Sequence, residues 1–127
     1  MLINISNHPS SSWGENQLKA ANRYARVADL AFPHIDPEAD TNDLFQLAKQ
    51  YEEKIRKLLA AESTGTFAVH IMGELTFCFA LVARLQKAGI SCLASTTQRK
   101  TIDNGNGSKT VLFDFVRFRE YPNISCI

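Results

Sequence analysis

This sequence lacks the motifs that mark the common metal, nucleotide-hydrolysing and acyl-transfer sites. It has three cysteines but no CxxC pair and no H-x-x-x-H spacing, so neither a bound metal nor a disulfide framework is expected. The motifs G-x-x-x-x-G-K-[ST] and G-x-G-x-x-G are missing, which disfavours ATP hydrolysis and dinucleotide redox chemistry. A G-x-S-x-G elbow for acyl transfer is missing as well.

The sequence also has little net charge and no long apolar run. Its 14 basic and 13 acidic residues leave a formal net charge of +1, which gives no global basis for binding long nucleic acid or a membrane surface. A small anionic ligand held by local groups is still allowed. The N-terminus shows no secretory signal pattern. We therefore expect a cytoplasmic protein without a membrane span, in which Cys78, Cys92 and Cys126 stay reduced.

What the sequence does contain is a regular alternation of strand and helix patterns. We predict an α/β fold of the Rossmann-like, three-layer type, with a mainly parallel sheet in the order 2-1-3-4, as one domain spanning residues 1–127. The helix after the third strand is apolar almost all round in its first half, so we expect it to be deeply buried. The predicted strands are 1–6, 27–32, 66–72 and 90–96, and the predicted helices are 14–25, 42–61 (with Thr41 as N-cap) and 73–89.

The end of the chain departs from this alternation of strands and helices. The segment "NGNG" at 104–107 is a strong turn signal. We predict that the fourth strand extends through Thr101 and pairs antiparallel with residues 111–121, which form a C-terminal hairpin strand. The alternation of apolar and polar residues in that strand is broken at Val116.

Ligands of open parallel sheets bind beyond the carboxyl ends of the strands, where the strand order reverses. In the order 2-1-3-4 the reversal lies between strands one and three. The loop "SNHPSSSW" (6–13) should therefore face "MGEL" (72–75), with "STTQR" (95–99) on a nearby rim.

The first of these loops is dense in polar groups. His8 is a candidate acid or base, because its ordinary pKa lies near neutrality. The candidate ligand-binding residues beside it are Asn7, Ser10, Ser11 and Ser12. The alternative is a plain turn in which Ser12 caps the following helix. Trp13 either stacks on a base or packs in the core.

The two facing segments supply further candidates, each with a structural alternative. Glu74 is a candidate catalytic carboxylate, although a helix start favours a carboxylate in any case. Arg99 suits a phosphate, although an exposed hairpin also carries charges. His70, inside a strand, is expected to be a satisfied core residue. The remaining candidate ligand-binding residues are Gly73, Thr76, Ser95, Thr96 and Thr97.

Asn7, His8 and Pro9, together with "MGE" at 72–74 and "ASTTQR" at 94–99, resemble segments of a known family. The sequence resembles small CRISPR-associated proteins of the type III accessory class, which are stand-alone CARF-like domains that act as ring nucleases on cyclic oligoadenylate. The resemblance extends over the chain in its order of strands and helices. It implies a homodimer that binds this second messenger and takes part in antiviral defence.

The resemblance also implies a reaction that uses neither a metal nor a cofactor. A ribose 2′-hydroxyl attacks the adjacent phosphorus and leaves a 2′,3′-cyclic phosphate. From chemistry and position, His8 would act as general acid or base and Arg99 would stabilise the phosphoryl charge. Glu74 would orient the ribose or act as base, and backbone N–H groups around residues 10–12 would hold phosphate.

Three other functions remain open at this point. The first alternative is a non-catalytic sensor of the same nucleotide. The second is a small Rossmann-like enzyme that acts on a nucleoside phosphate or sugar phosphate. A third possibility is an interaction domain that uses its Phe-rich terminal strand as a dimer edge.

Overall fold

Strands and helices alternate along most of the chain in the computed structural model, which describes residues 1–62 and 65–124. None of the helices in these two ranges is both long and apolar enough to cross a membrane. The elements are β1 (Leu2–Ile5), a 3-10 turn (Ser10–Ser12), α1 (Glu15–Ala21), β2 (Val27–Asp29), α2 (Thr41–Ala60), β3 (Ala68–Ile71), α3 (Leu75–Lys87), β4 (Cys92–Asp103) and β5 (Lys109–Glu120).

The five strands form one mixed sheet in the order β2-β1-β3-β4-β5. The first four strands are parallel and β5 runs antiparallel to β4, which confirms the predicted parallel order and the terminal hairpin. The predicted N-cap of α2 is wrong by one residue. Asp40 caps the helix and accepts a hydrogen bond from Asp43 N, while the Asp43 carboxylate accepts one from Asp40 N.

The core lies on both faces of the sheet, because successive residues of β1 point to opposite sides. Ile3 and Ile5 are fully buried against α2 and α3, whereas Leu2 packs with Trp13 and Ala21 on the α1 side. The two cysteines in the described residues are buried free thiols. Burial raises the pKa of the Cys78 thiol to about 11 and that of Cys92 to about 12, so neither is reactive at neutral pH. Cys126 lies outside the described residues.

A β-bulge explains the broken alternation at Val116. Thr96 pairs with Arg117 and Thr97 pairs with Phe115, so Val116 has no partner across the hairpin. The extra residue brings three phenylalanines onto the face that also carries the side chains of residues 95, 97 and 99; they are Phe113, Phe115 and Phe118. β4 pairs with β3 only at Cys92 and Leu93, so most of the hairpin extends past the carboxyl ends of the central strands.

Gly73 is explained by a close aromatic contact. A Cβ built at this position would lie 2.9 Å from Cδ2 of Phe32 and closer still to two other atoms of that ring. The Phe32 ring itself is held edge-on against Phe77, at 5.3 Å between ring centres. The sequence left open a sharp turn or a ligand approach at this glycine, and the ring contact is the structural reason for it.

We expect Gly73→Ala to lower the free energy of unfolding by about 1–2 kcal/mol, because the Phe32 ring has to leave its place. Gly14→Ala is the matched control, since a Cβ there meets nothing within 4 Å and the backbone is ordinary extended. Since Gly14 is the N-cap of α1 and alanine is the poorer cap, it should cost about 0.5 kcal/mol, clearly less than Gly73→Ala. Urea unfolding of both variants measures the difference, and equal values for the two would contradict the contact.

Candidate functional site

A row of three polar residues crosses the apolar centre of the sheet. In the strand register Asn4 of β1 lies opposite Asp29 of β2 on one side and His70 of β3 on the other. Asn4 and His70 are each only 2% exposed. Sequence reasoning missed Asn4 and Asp29 altogether. The available signal was a single polar residue inside each of three short apolar strands.

The Asn4 side chain has four hydrogen-bond contacts, two within this row and two to the first loop. Its Nδ2 donates to Asp29 Oδ1 at 2.8 Å and to the His8 carbonyl oxygen at 2.9 Å. Its Oδ1 accepts from Ser6 Oγ at 2.9 Å and lies 2.8 Å from His70 Nδ1. Both donors and both lone pairs of the amide are therefore used. Asn4 ties three strands and the loop into one unit.

Asp29 fixes the next part of the loop. Its carboxylate accepts hydrogen bonds from Ser10 N at 2.9 Å and from Ser10 Oγ at 2.7 Å. Burial raises the pKa of Asp29, but the hydrogen bonds from Asn4 and Ser10 outweigh it and bring the pKa below its usual value. The carboxylate thus stays ionised, and both polar groups of Ser10 are engaged within the protein.

The serines do not cap α1 as the turn interpretation expected. The N-cap of α1 is Gly14, with no side-chain hydrogen bond, and Ser12 Oγ donates instead to the Pro9 carbonyl oxygen at 2.8 Å. The prediction that Ser12 caps the helix is therefore wrong.

A cleft of about 690 Å³ opens beyond the carboxyl ends of β1 and β3. The first loop and the start of α1 form one wall, and the β4–β5 hairpin forms the other. Four predicted site residues meet here, namely His8, Ser12, Ser95 and Thr97. The remaining lining residues are Ser6, Trp13, Gly14, Glu15, Asn16, Gln17, His70, Met72, Phe113, Asp114 and Phe115.

Trp13 has a packing role in the inner wall of this cleft. Only 7% of it is exposed, and it stands edge-on to His70 at 5.7 Å between ring centres. Its Nε1 donates to the His8 carbonyl oxygen at 3.2 Å. The expectation of a core residue fits this position, and part of the indole still lines the cleft.

His8 combines a fixed backbone with an exposed side chain. Its carbonyl oxygen accepts hydrogen bonds from Asn4 Nδ2 and Trp13 Nε1, and at 3.0 Å it shares the single Ser6 hydroxyl proton with Asn4 Oδ1. The imidazole lines the cleft and is exposed to solvent. These hydrogen bonds fix the backbone from which the imidazole extends toward the cleft, whereas the exposed ring keeps its own torsional freedom.

The other predicted site residues do not line this cleft. Glu74 is the N-cap of α3, where its carboxylate accepts from Thr76 Oγ1, Thr76 N and Phe77 N at 2.6–2.9 Å. Hydrogen bonds from the Thr76 side chain and from the Phe77 and Thr76 backbone hold the pKa of Glu74 below its usual value. The residues outside the cleft are Asn7, Ser10, Ser11, Gly73, Glu74, Thr76, Thr96 and Arg99.

Arg99 and Thr96 take opposite faces of the hairpin. Arg99 pairs across the hairpin with Phe113, which lines the cleft. The Arg99 side chain therefore begins beside the hairpin wall of the cleft without lining it. Thr96 faces the other way, and its Oγ1 accepts a hydrogen bond from Arg117 N at 3.2 Å.

His70 is a core residue with one unsatisfied nitrogen. Its Nδ1 contacts Asn4 Oδ1, but the buried Nε2 has no hydrogen-bond partner among the described residues. Burial lowers the pKa of His70 to about 4. The expectation of a core histidine is thus correct, because the side chain is buried. The expectation that its hydrogen bonds are satisfied is wrong, because Nε2 has no partner among the described residues.

We expect the stability of the protein to fall as the pH drops below about 6.5. In that range the unfolded chain protonates His70, whose ordinary pKa is 6.5, whereas the folded protein does so only near pH 4. The unfolded state then binds more protons, so the free energy of unfolding decreases by up to about 1.4 kcal/mol per pH unit. Urea unfolding between pH 7 and pH 4 measures the slope. A slope that persists unchanged in His70→Phe would assign the effect to other groups.

A second concavity, of about 1050 Å³, lies between α2 and α3 on the other side of the sheet. Phe45, Leu75 and Phe79 line it and are 54%, 83% and 79% exposed, so the expectation that the first half of α3 is deeply buried is wrong. Three of the charged side chains here form ion pairs, since Glu52 contacts Arg84 at 2.7 Å and Arg56 at 2.9 Å. Within residues 1–62 and 65–124, no group of three His, Cys, Asp or Glu side chains could hold a metal ion.

Comparison with known proteins gives one match. A family model described as "Uncharacterized protein MJ1673 family" matches residues 1–119. No curated protein and no solved structure matches the chain.

Proposed function

Because the chain belongs to this MJ1673 family, whose description names no activity, we propose a function from the cleft itself: the protein binds a cyclic oligoadenylate and cleaves it without a metal ion. The observation that carries the proposal is the place of His8, whose backbone is held at the rim of the cleft. Its imidazole lines a cleft where the strand order reverses, beside hydroxyl groups and aromatic rings.

The shape and lining of the cleft suit a nucleotide. Its volume lies within the range of roughly 300–1,000 Å³ that small-molecule sites occupy. Phe113 and Phe115 offer ring surface on which a base can stack. The hydroxyls of Ser95 and Thr97 can donate to phosphate or ribose oxygens. Ser12 Oγ already donates to the Pro9 carbonyl oxygen and can only accept from a ligand.

The proposed reaction needs one proton removed and one supplied. The O2′–P bond forms as the P–O5′ bond breaks; the 2′-hydroxyl proton leaves to a base, and the departing 5′-oxygen takes up a proton. His8 performs one of these transfers as general acid or base. Arg99 starts outside the lining of the cleft, across the hairpin from Phe113, and in this proposal its long side chain extends to the phosphoryl oxygens. Glu74 has no part in this mechanism, because its carboxylate is engaged at the start of α3 outside the cleft.

The proposal includes a Rossmann-like three-layer domain, a homodimer and a cytoplasmic location. Helices on both faces of the sheet support the layered arrangement. A two-fold symmetric ligand would lie across two facing clefts. The hairpin extends past the sheet, and Phe113 on it is 66% exposed, which supports a second copy packing there.

Incubation with cyclic tetra-adenylate or cyclic hexa-adenylate in EDTA tests the proposal. We expect linear products that end in a 2′,3′-cyclic phosphate, identified by chromatography and mass spectrometry. A tightly bound ligand that stays intact would replace the nuclease with a non-catalytic sensor. Absence of binding to either ring would overturn both.

A further inference from the structure

The orientation of the Asn4 amide follows from its neighbours. Two of them, the Asp29 carboxylate and the His8 carbonyl oxygen, can only accept hydrogen bonds, at 2.8 and 2.9 Å. The NH₂ group of Asn4 must therefore face them. The amide oxygen is left to face Ser6 Oγ and His70 Nδ1.

This orientation decides which nitrogen of His70 carries the proton. The Asn4 amide oxygen is an acceptor, so His70 Nδ1 must donate to it. Burial lowers the pKa of His70 to about 4, and the ring is therefore neutral at pH 7. In a neutral imidazole with its proton on Nδ1, Nε2 carries a lone pair and can only accept.

Nε2 is then a buried acceptor without a partner in the described part of the chain. Buried polar atoms without partners are rare, because they lose their hydrogen bonds to water. His70 is only 2% exposed, yet it belongs to the lining of the cleft, between the rings of Trp13 and Phe118. A hydrogen-bond donor of a bound ligand would satisfy it. Because Nε2 itself is shielded from solvent, the ligand has to displace a neighbouring side chain of the cleft wall to reach it.

We propose that His70 Nε2 accepts a hydrogen bond from a ribose 2′-hydroxyl of the ligand, and that Asp29 and Asn4 are positioning residues that hold the His70 proton on Nδ1. The proposal rests on the proposed function for the class of ligand. A neutral acceptor disfavours phosphate oxygens, which carry lone pairs only, and favours a donor, which in this ligand is a ribose hydroxyl or an adenine amino group. We assign the contact to the hydroxyl, and the 2′-fluoro analogue, which keeps the amino group, distinguishes the two. His70 is therefore a specificity residue that distinguishes ribose from analogues without the hydroxyl proton.

Nitrogen-15 NMR of the histidine rings tests the first half of this inference without any ligand. We expect the His70 signals of a neutral ring protonated at Nδ1. A neutral ring protonated at Nε2, or a charged ring at pH 7, would overturn the inference.

The second half is tested with cyclic tetra-adenylate and its 2′-fluoro analogue, which keeps the size of the substituent but cannot donate. The His8→Ala protein is used so that the ligand is not consumed. We expect the ribose ligand to bind at least about tenfold more tightly, as one good hydrogen bond provides. The Nε2 signal should shift with the ribose ligand only. In a His70→Phe background, which keeps a planar ring, the two affinities should become equal.

The outcomes separate the inference from the proposed function. Equal affinities of the two ligands for a protein that retains His70 would overturn the role of Nε2 and leave the proposed function standing. This comparison does not depend on whether His70→Phe folds. If neither ligand binds, the proposed function is overturned and the assignment of the 2′-hydroxyl is overturned with it.

Discussion

Replacing Asn4 by alanine is expected to lower the free energy of unfolding by about 3 kcal/mol, since several polar partners lose their hydrogen bonds at once. The substitution removes two donors and two acceptor sites from a residue that is 2% exposed. Asp29 Oδ1 and the His8 carbonyl oxygen keep other partners, whereas the Nδ1 proton of His70 loses the Asn4 oxygen that accepts it.

Asn42→Ala is the matched control for this prediction, because the same chemical change is made at an exposed position of α2. We expect it to change stability by less than about 0.5 kcal/mol. Chemical unfolding of both variants at pH 7 compares them. Losses of similar size at the two positions would show that the polar row contributes nothing beyond a general effect of the substitution.

Replacing His8 by alanine should reduce the turnover of cyclic oligoadenylate by at least about 100-fold, the usual contribution of a general acid or base. Its dissociation constant should change by less than about threefold, because the interaction is used mainly in the transition state. The fold should be unaffected, since the loop is held by the His8 carbonyl oxygen and not by its side chain.

His34→Ala is the control here, because His34 is also exposed but lies outside the cleft. Single-turnover rates and equilibrium binding, measured on the same samples, separate the two quantities. If turnover and affinity fall by the same factor, His8 binds the ligand and has no acid–base role.

Much of the fold could be predicted from local patterns. Three short apolar runs separated by helices indicate parallel strands, and the "NGNG" turn indicates the hairpin. The ends of elements were less predictable, because they depend on which side chain reaches a free N–H group. Asp40 caps α2 in place of Thr41, and Glu74 became the cap of α3.

The sequence predicted where the candidate site lies but not which residues form it. The strand order placed it beyond β1 and β3, where the cleft lies. The row of polar residues beneath the cleft was not predictable, because the contacts among Asp29, Asn4 and His70 depend on the exact register of three strands. The bulge at Val116, which aligns Phe115 with Thr97, depends in the same way on pairing that no local pattern specifies.

Fluorescence titration with cyclic tetra-adenylate tests most directly whether the cleft is the ligand site. Trp13 is the only tryptophan in the chain and lines the cleft, so its emission should respond to a bound ligand. Ser95→Phe, which fills the cleft, should weaken binding by at least about tenfold. Phe79→Glu, in the larger groove between α2 and α3, should leave the affinity unchanged. Loss of binding in Phe79→Glu with normal binding in Ser95→Phe would place the ligand in the groove and contradict the account.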